Sequence, residues 1–386
     1  MSLPMPSTNQ IASLEFTNAR IVTPTEIVHG TLRVDGETIV SVEQGGRASP
    51  AAIDCNGDYL LPGLIDVHTD HIEKHAVPRP RVFWPTTSAI LNYDAAIISA
   101  GVTTVFDSLC VGAAGKPFRK RILPELIQGL HATGAAGLLK AEHLLHLRCD
   151  LFDPDLEEDL ESFIDDPSLR FITLMDDSAP RRSDDYYRRV QRERGETDAE
   201  EIENRLQASH ANDPTTAARI RPWIVKLARE RGIVVANHDD ASAGHVKEAV
   251  ELGISLIEFA ITEEAAVAAH GAGMTVIAGG ANVVNGGSHF GGVSAEDLVR
   301  RGIASILCSD YVPASLLQAV FRIAGNDGGP SLSEAVALVT ANPAKTFGLD
   351  DRGAISAGKR ADIVRVSTFD GEPLVSSVWR QGRQVF

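Results

Sequence analysis

The chain has 386 residues, 44% hydrophobic and 23% charged, enough for a large core and ordinary for a soluble globular enzyme of one large and one small domain. Its formal net charge of −16 argues against nucleic-acid or membrane partners, which need basic faces, but leaves an anionic small molecule open, because a local basic cluster or bound cation can reverse the field in a cleft. No stretch approaches a membrane span or a secretory leader, and Cys55, Cys110, Cys149 and Cys308 form no CxxC pair, so reduced thiols in a cytoplasmic protein are expected.

The chain opens with strand-like pieces at Ser13–Ala19, Arg20–Val22, Gly30–Val34 and Thr38–Val42, with Asp35-Gly36 as a hairpin signal. Its end repeats this texture at Asp362–Ser367, Val375–Trp379 and Arg383–Phe386, with a turn at Gln381-Gly382. Both ends are therefore expected to pair into one small β-sandwich domain, residues 1–61 plus 350–386.

Between them, apolar strands alternate with helical patterns. Strands are expected at Leu64–His68, Thr103–Phe106, Gly137–His143, Arg170–Met175, Val234–His238, Leu256–Phe259, Thr275–Ala278 and Ala304–Ser309. Helices are expected at Ala89–Ala100, Arg119–Thr133, Thr215–Glu230, Gly244–Leu252, Glu263–His270 and Ala295–Arg301. Eight such units predict an α/β chain with a closed (β/α)8 TIM barrel over residues 62–349, whose chemistry sits at the C-terminal strand ends. A densely charged segment near 181–212 reads as an exposed helical insertion. A lid that brings Arg181, Arg182 or Arg188 to an anion is the alternative.

The candidate ligands follow the strands. His68 and Asp70 share a face at the end of the first, an imidazole and a carboxylate two residues apart. In the third, Lys140 and Glu142 share a face. Glu142, nearer the expected strand end, is the better bridging carboxylate, and Lys140 reads as exposed or ion-paired. His238 ends the fifth strand ahead of two acids, Asp239 and Asp240. Asp310 ends the eighth, where it suits both a metal ligand and a general base. The glycine-rich stretch Gly279–His289 and the proline-stiffened basic cluster Glu73–Arg81 suit an anion.

The set of His68, Asp70, Glu142, His238 and Asp310 resembles the amidohydrolase superfamily, and so does the closing segment Gly353–Val364. Within it, several stretches resemble the diphosphatase family of the carbon–phosphorus lyase pathway of phosphonate degradation. These are Leu61–Asp70, Pro78-Arg79-Pro80 with Trp84-Pro85, Ala141–His143, Leu145–Cys149, Leu174–Asp176, His238–Asp240, Gly286–His289, and Ser309–Tyr311 with Pro313–Leu317. The resemblance implies two divalent cations (zinc, manganese or iron) held by His68, Asp70, Glu142 and His238, with Asp310 completing the site. It assigns catalysis to Asp310 and His238, with Asp310 taking the proton of the attacking water. The substrate would be α-D-ribose 1-methylphosphonate 5-triphosphate, cleaved to the 5-phosphate and pyrophosphate. Lys74, Arg79, Arg81, His146, Arg148, Asp176, Asp239, Asn285 and His289 would meet that substrate. Three positions depart from the family pattern: His71 replaces an expected amide, Asp177 a His, and Asn285 an Arg, which removes a positive charge. A sister activity on another phosphorylated compound stays open. So does C–N hydrolysis of the deacetylase, cyclic amidase or deaminase kind, and so does a homo-oligomeric state.

Overall fold

The computed structural model describes residues 13–46, 48–113, 116–178, 181–193, 195–288, 291–326 and 328–386. Eight parallel strands form one sheet, each paired with the next in chain order. They are Leu64–Thr69, Val102–Val111, Glu142–Asp150, Leu169–Met175, Val234–His238, Leu256–Glu258, Thr275–Gly279 and Ile306–Cys308. The first meets the eighth through a parallel bridge between Thr69 and Asp310. There the Asp310 N–H donates to the His68 carbonyl, and the Asp70 N–H to the Asp310 carbonyl, each at 2.9 Å. The seam that closes the barrel therefore sets Asp310 beside His68 and Asp70.

Alternation along each strand sorts the core into two layers. Inward residues, among them Ile65, Val67, Phe106, Leu144, Phe171, Ile277 and Ile306, fill the barrel. Phe347 plugs it, its ring 4.6 Å from Phe106 and 5.0 Å from Phe171. Outward residues such as Val105, Leu145, Leu147 and Leu174 pack against the surrounding helices. These helices lie close to their expected positions, at Thr86–Ser99, Phe118–Ala135, Pro214–Glu230, Ala243–Leu252, Glu263–Gly271 and Ala295–Arg300. Local chemistry fixes their ends: Asp213 caps the helix that Pro214 begins, and Gly253 ends its helix at φ 77°.

The third strand differs from expectation. It begins at Glu142, where it was expected to be ending, and runs on to Asp150. Lys140 and Ala141 precede it, their N–H groups held by the Asp94 carboxylate at 2.9–3.1 Å. Glu142 pairs with Thr104, and Thr104 pairs with Ile65, at the base of the barrel.

Both termini build the second, mixed sheet. Leu14–Val22 is one strand rather than two, with a bulge between Phe16 and Ala19. It pairs with Ile27–Asp35, which pairs with Thr38–Gln44, and the loop between those two is Gly36-Glu37. From the C-terminal end come Ile363–Phe369, Glu372–Arg380 and Arg383–Gln384, joined to the N-terminal strands through Tyr59–Pro62. Gln381 and Gly382 both have positive φ, 51° and 71°, as the expected tight turn requires. Gly63 carries the chain from this sheet into the barrel. A Cβ there would lie 2.1 Å from Thr103 Oγ1, so no larger residue fits. The charged insertion forms two helices in contact, Asp184–Glu193 and Ala199–His210. Among the described residues, no helix is long and apolar enough to cross a membrane.

Candidate active site

At the C-terminal ends of the barrel strands lies a cavity of about 400 Å³. Asp70, Arg148, His238, Asp239 and Asp310 line it, with Lys116, Arg119, Asp177, Tyr186, Ser288 and Tyr311 around them. Its other wall is largely apolar and includes Phe259, Ile277, Ala278, Val293 and Leu298. Three lining residues outside glycine hold the left-handed backbone: Asp239 at φ 56°, Phe259 at 56° and Asp310 at 60°. Each directly follows or closes a barrel strand, and such strain concentrates at functional sites.

The organising group is Glu258, at the end of the sixth strand and fully buried. Its two oxygens receive two imidazoles: His68 Nδ1 at 2.8 Å and His238 Nδ1 at 2.9 Å. The two rings stack 11° from parallel with centroids 6.1 Å apart. A carboxylate that takes the Nδ1 protons fixes the tautomer and leaves Nε2 as the ligating atom. Burial alone would raise the Glu258 carboxyl. The His68 and His238 imidazoles outweigh it and hold the group well below its ordinary range. Burial likewise opposes a charged His238, yet Asp239 and Glu258 hold that ring above its usual value.

His146 comes from the third strand, its ring stacked on Phe171 at 4.0 Å. Its nitrogens meet Ser108 Oγ at 2.9 Å and Thr173 Oγ1 at 2.6 Å, and burial pushes it well below its ordinary pKa. Ligand atoms of His68, His146 and Glu258 all lie within 4.8 Å of one another, a spacing compatible with one metal ion. Arg148, two residues on, brings its Nη2 to 3.5 Å from His238 Nε2. Burial opposes its charge, but the Asp70 and Glu258 carboxylates favour the protonated guanidinium. Among the described residues, Arg148 Nε and Asp70 Oδ1 are buried without a hydrogen-bond partner. Such groups ask for a ligand, since orphaned buried polar atoms are costly. Asp310 is raised by burial and by Asp70, against the pull of His68, Arg148 and His238.

The expected site is thus partly assembled here. His68, Asp70, His238, Asp310, His146, Arg148 and Asp239 come together. Glu142 does not: it lies at the opposite end of the barrel, where its Oε2 accepts from Arg352 at 2.8 Å and Arg360 at 2.7 Å. A strand that begins at Glu142 cannot present that residue at its far end. Lys74, Arg79 and Arg81 are exposed and do not line the cavity, although Lys74 Nζ donates to the Tyr311 carbonyl at 2.9 Å. Asp176 is committed to Arg221 at 2.6 Å. Asn285 lies exposed at the end of a short helix, Gly280–Asn285, rather than in a loop, and reaches the Tyr311 hydroxyl at 3.3 Å. His289 lies outside the described residues. In the insertion, Arg181 pairs with Asp240 at 3.2 Å, Arg182 with Asp239 at 2.8 Å, and Arg188 with Glu203 at 2.6 Å, while Tyr186 reaches the cavity. Sequence reasoning missed Glu258, Lys116 and Arg119. The signal for Glu258 was present: a lone carboxylate in the apolar run Leu256–Ala260 has to be paired.

The profile of the amidohydrolase family matches residues 59–385. The alpha-D-ribose 1-methylphosphonate 5-triphosphate diphosphatase of Escherichia coli (strain K12) is 39% identical over 381 residues, covering 96% of this chain and 100% of that protein. Among solved structures, an N-acetyl-D-glucosamine-6-phosphate deacetylase from Mycobacterium smegmatis aligns with TM-score 0.63 at 19% identity, over 97% of this chain and all of that one. An N-isopropylammelide isopropylaminohydrolase from Burkholderia multivorans aligns with TM-score 0.65 at 17% identity, over 97% of this chain and 98% of that one. At such identities the structures speak for the fold alone.

Proposed function

This chain belongs to the amidohydrolase family, and from that premise we propose that it is a metal-dependent triphosphate diphosphatase of phosphonate catabolism. Its substrate would be α-D-ribose 1-methylphosphonate 5-triphosphate, hydrolysed to the 5-phosphate and pyrophosphate. The observation that carries the reading is Arg148. A charged guanidinium whose Nε is buried and unpartnered shares one cavity with Asp70, His238 and Asp310. An amidase acting on a neutral ring has little use for such a group, whereas a phosphate ester binds it through paired oxygens. Full-length relation to the Escherichia coli diphosphatase supports the substrate class.

His68, Asp70, His238 and Asp310 would hold the divalent cations, with His146 at their edge and Glu258 fixing both imidazoles. Imidazole and carboxylate donors together suit zinc, manganese or iron. When bound, such cations acidify water and offset charge on phosphoryl oxygens. Asp310, at the barrel seam, accepts the proton of the attacking water. Arg148 holds oxygens of the triphosphate chain beside the Asp70 and Asp310 carboxylates. Glu258, accepting from His238 Nδ1, keeps that ring oriented with Nε2 free to ligate.

The test is direct. Metal-reconstituted protein is incubated with the ribose triphosphate and with nucleoside triphosphates, and pyrophosphate is assayed against orthophosphate. Pyrophosphate release abolished in Asp310→Asn is the expected result. Metal-loaded protein that releases neither product from any triphosphate would reject the reading in favour of C–N hydrolysis.

A further inference from the structure

The cations expected to clamp the substrate, Arg79 and Arg81, face solvent. A different set lines the cavity. Lys116 and Arg119 follow the second barrel strand, and Arg148 lies two residues before the end of the third. Lys116 and Arg119 share one carboxylate, Glu73, on the helix just after Asp70. Arg119 Nη2 donates to Glu73 Oε2 at 3.0 Å, its Nε lies 2.8 Å from Oε1, and Lys116 Nζ lies 3.7 Å from Oε2. Arg119 and Glu73 are both buried, each side chain 8% exposed, so the guanidinium is held rigidly rather than free to swing. Arg148 faces Asp70 and Glu258 besides, and the three cations form one compact cationic wall next to the carboxylates of the barrel seam.

Apart from His238, the rest of the described lining offers no cationic side chain. Asp70 and Asp310 occupy the side of the barrel seam, and Phe259, Ile277, Ala278, Val293 and Leu298 make the far wall apolar. The first would be taken up by the divalent cations, and the second offers a polyphosphate chain no polar contact. Only the wall over the second and third strands offers charge-assisted hydrogen bonds.

We infer that Lys116, Arg119 and Arg148 form the seat of the departing diphosphate, so that the two distal phosphates lie over the second and third barrel strands while the ribose end lies toward the apolar wall. This rests on the diphosphatase reading for the identity of the leaving group, but the seat is testable without turnover. The probe is inorganic pyrophosphate, titrated calorimetrically into metal-loaded protein. Lys116→Ala and Arg119→Lys are each expected to weaken its binding about tenfold or more, the order of one charge-assisted hydrogen bond, while Arg79→Ala leaves it unchanged. The Lys116 side chain is 49% exposed, so that substitution leaves the core intact even where changes at Arg119 disturb it. Affinity should also fall as salt rises. Pyrophosphate affinity within twofold of the parent in both variants overturns the inference, and does so whether or not the enzyme releases pyrophosphate from a triphosphate. Weakened binding in both variants, with no hydrolysis of any triphosphate, keeps the diphosphate seat and overturns the proposed reaction instead.

Discussion

Glu142 separates two accounts of this barrel, because as a metal ligand and as a structural anion it fails differently. Its Oε2 accepts from Arg352 at 2.8 Å and from Arg360 at 2.7 Å, and both guanidiniums are only 8% exposed. Removing one partner of a buried pair costs roughly 3–5 kcal/mol. Here the figure must be discounted: Glu142 is 30% exposed, Arg352 also donates to Thr104 at 2.9 Å, and Arg360 keeps Asp362 at 2.8 Å. Glu142→Gln should therefore cost about 1–3 kcal/mol. Spread over the unfolding entropy of so long a chain, that lowers Tm by about 1–4 °C. The assay pairs scanning calorimetry with metal analysis of the same preparation. A lower Tm with undiminished metal and unchanged kcat is the expected outcome. Loss of metal at constant Tm would refute the argument and return Glu142 to the active site.

Three further outcomes can be checked independently. Glu258→Gln should cost about 10–100-fold in metal affinity by releasing the tautomers of His68 and His238 together, as measured by competition with a chelator; unchanged affinity would remove Glu258 from its orienting role. His143 lies outside the barrel wall between Asp94 at 3.2 Å and Asp107 at 2.9 Å, and against the cost of its burial these carboxylates push it up to about 9. Because the folded value lies above the unfolded one near 6.5, this contribution to stability is complete below about pH 6.5 and disappears as pH rises through about 9; urea midpoints across that window should fall in the parent and fall less in His143→Gln. Arg79→Ala with Arg81→Ala should change the KM for a triphosphate less than about twofold, as exposed charges usually do, and a tenfold rise would restore them to the site.

What the sequence made legible was parity, and what it concealed was height. The alternation that puts Glu142, Leu144, His146 and Arg148 on one face is readable from the residues, and the structure keeps it: Leu144 lies in the inner core and Arg148 lines the cavity. Nothing in a period of two says where along the barrel that face begins. The apolar run Gly137–Ala141 imitates a strand although the backbone there is turning out of a helix, with Gly137 at φ 66°. Ending the strand at His143 placed Glu142 near the chemistry and left His146 and Arg148 in a loop. Arg148 stands six residues beyond Glu142, which at about 3.3 Å each is roughly 20 Å, the difference between the base of the barrel and its active end. The first, fifth and eighth strands escaped this error because each ends abruptly in a polar residue: His68-Thr69-Asp70, His238-Asp239 and Ser309-Asp310. The second strand repeats it, since Asp107-Ser108 looks like an end although pairing continues to Val111. Asp107 is tolerated inside that strand only because Tyr93 donates to it at 2.8 Å and His143 meets it from the neighbouring strand. Those partners come from distant sequence, and they hide the true strand end and with it Lys116 and Arg119 just beyond. The cationic wall therefore went unseen for the same physical reason that Glu142 was misplaced: a buried polar residue satisfied across strands looks, in one dimension, like a loop.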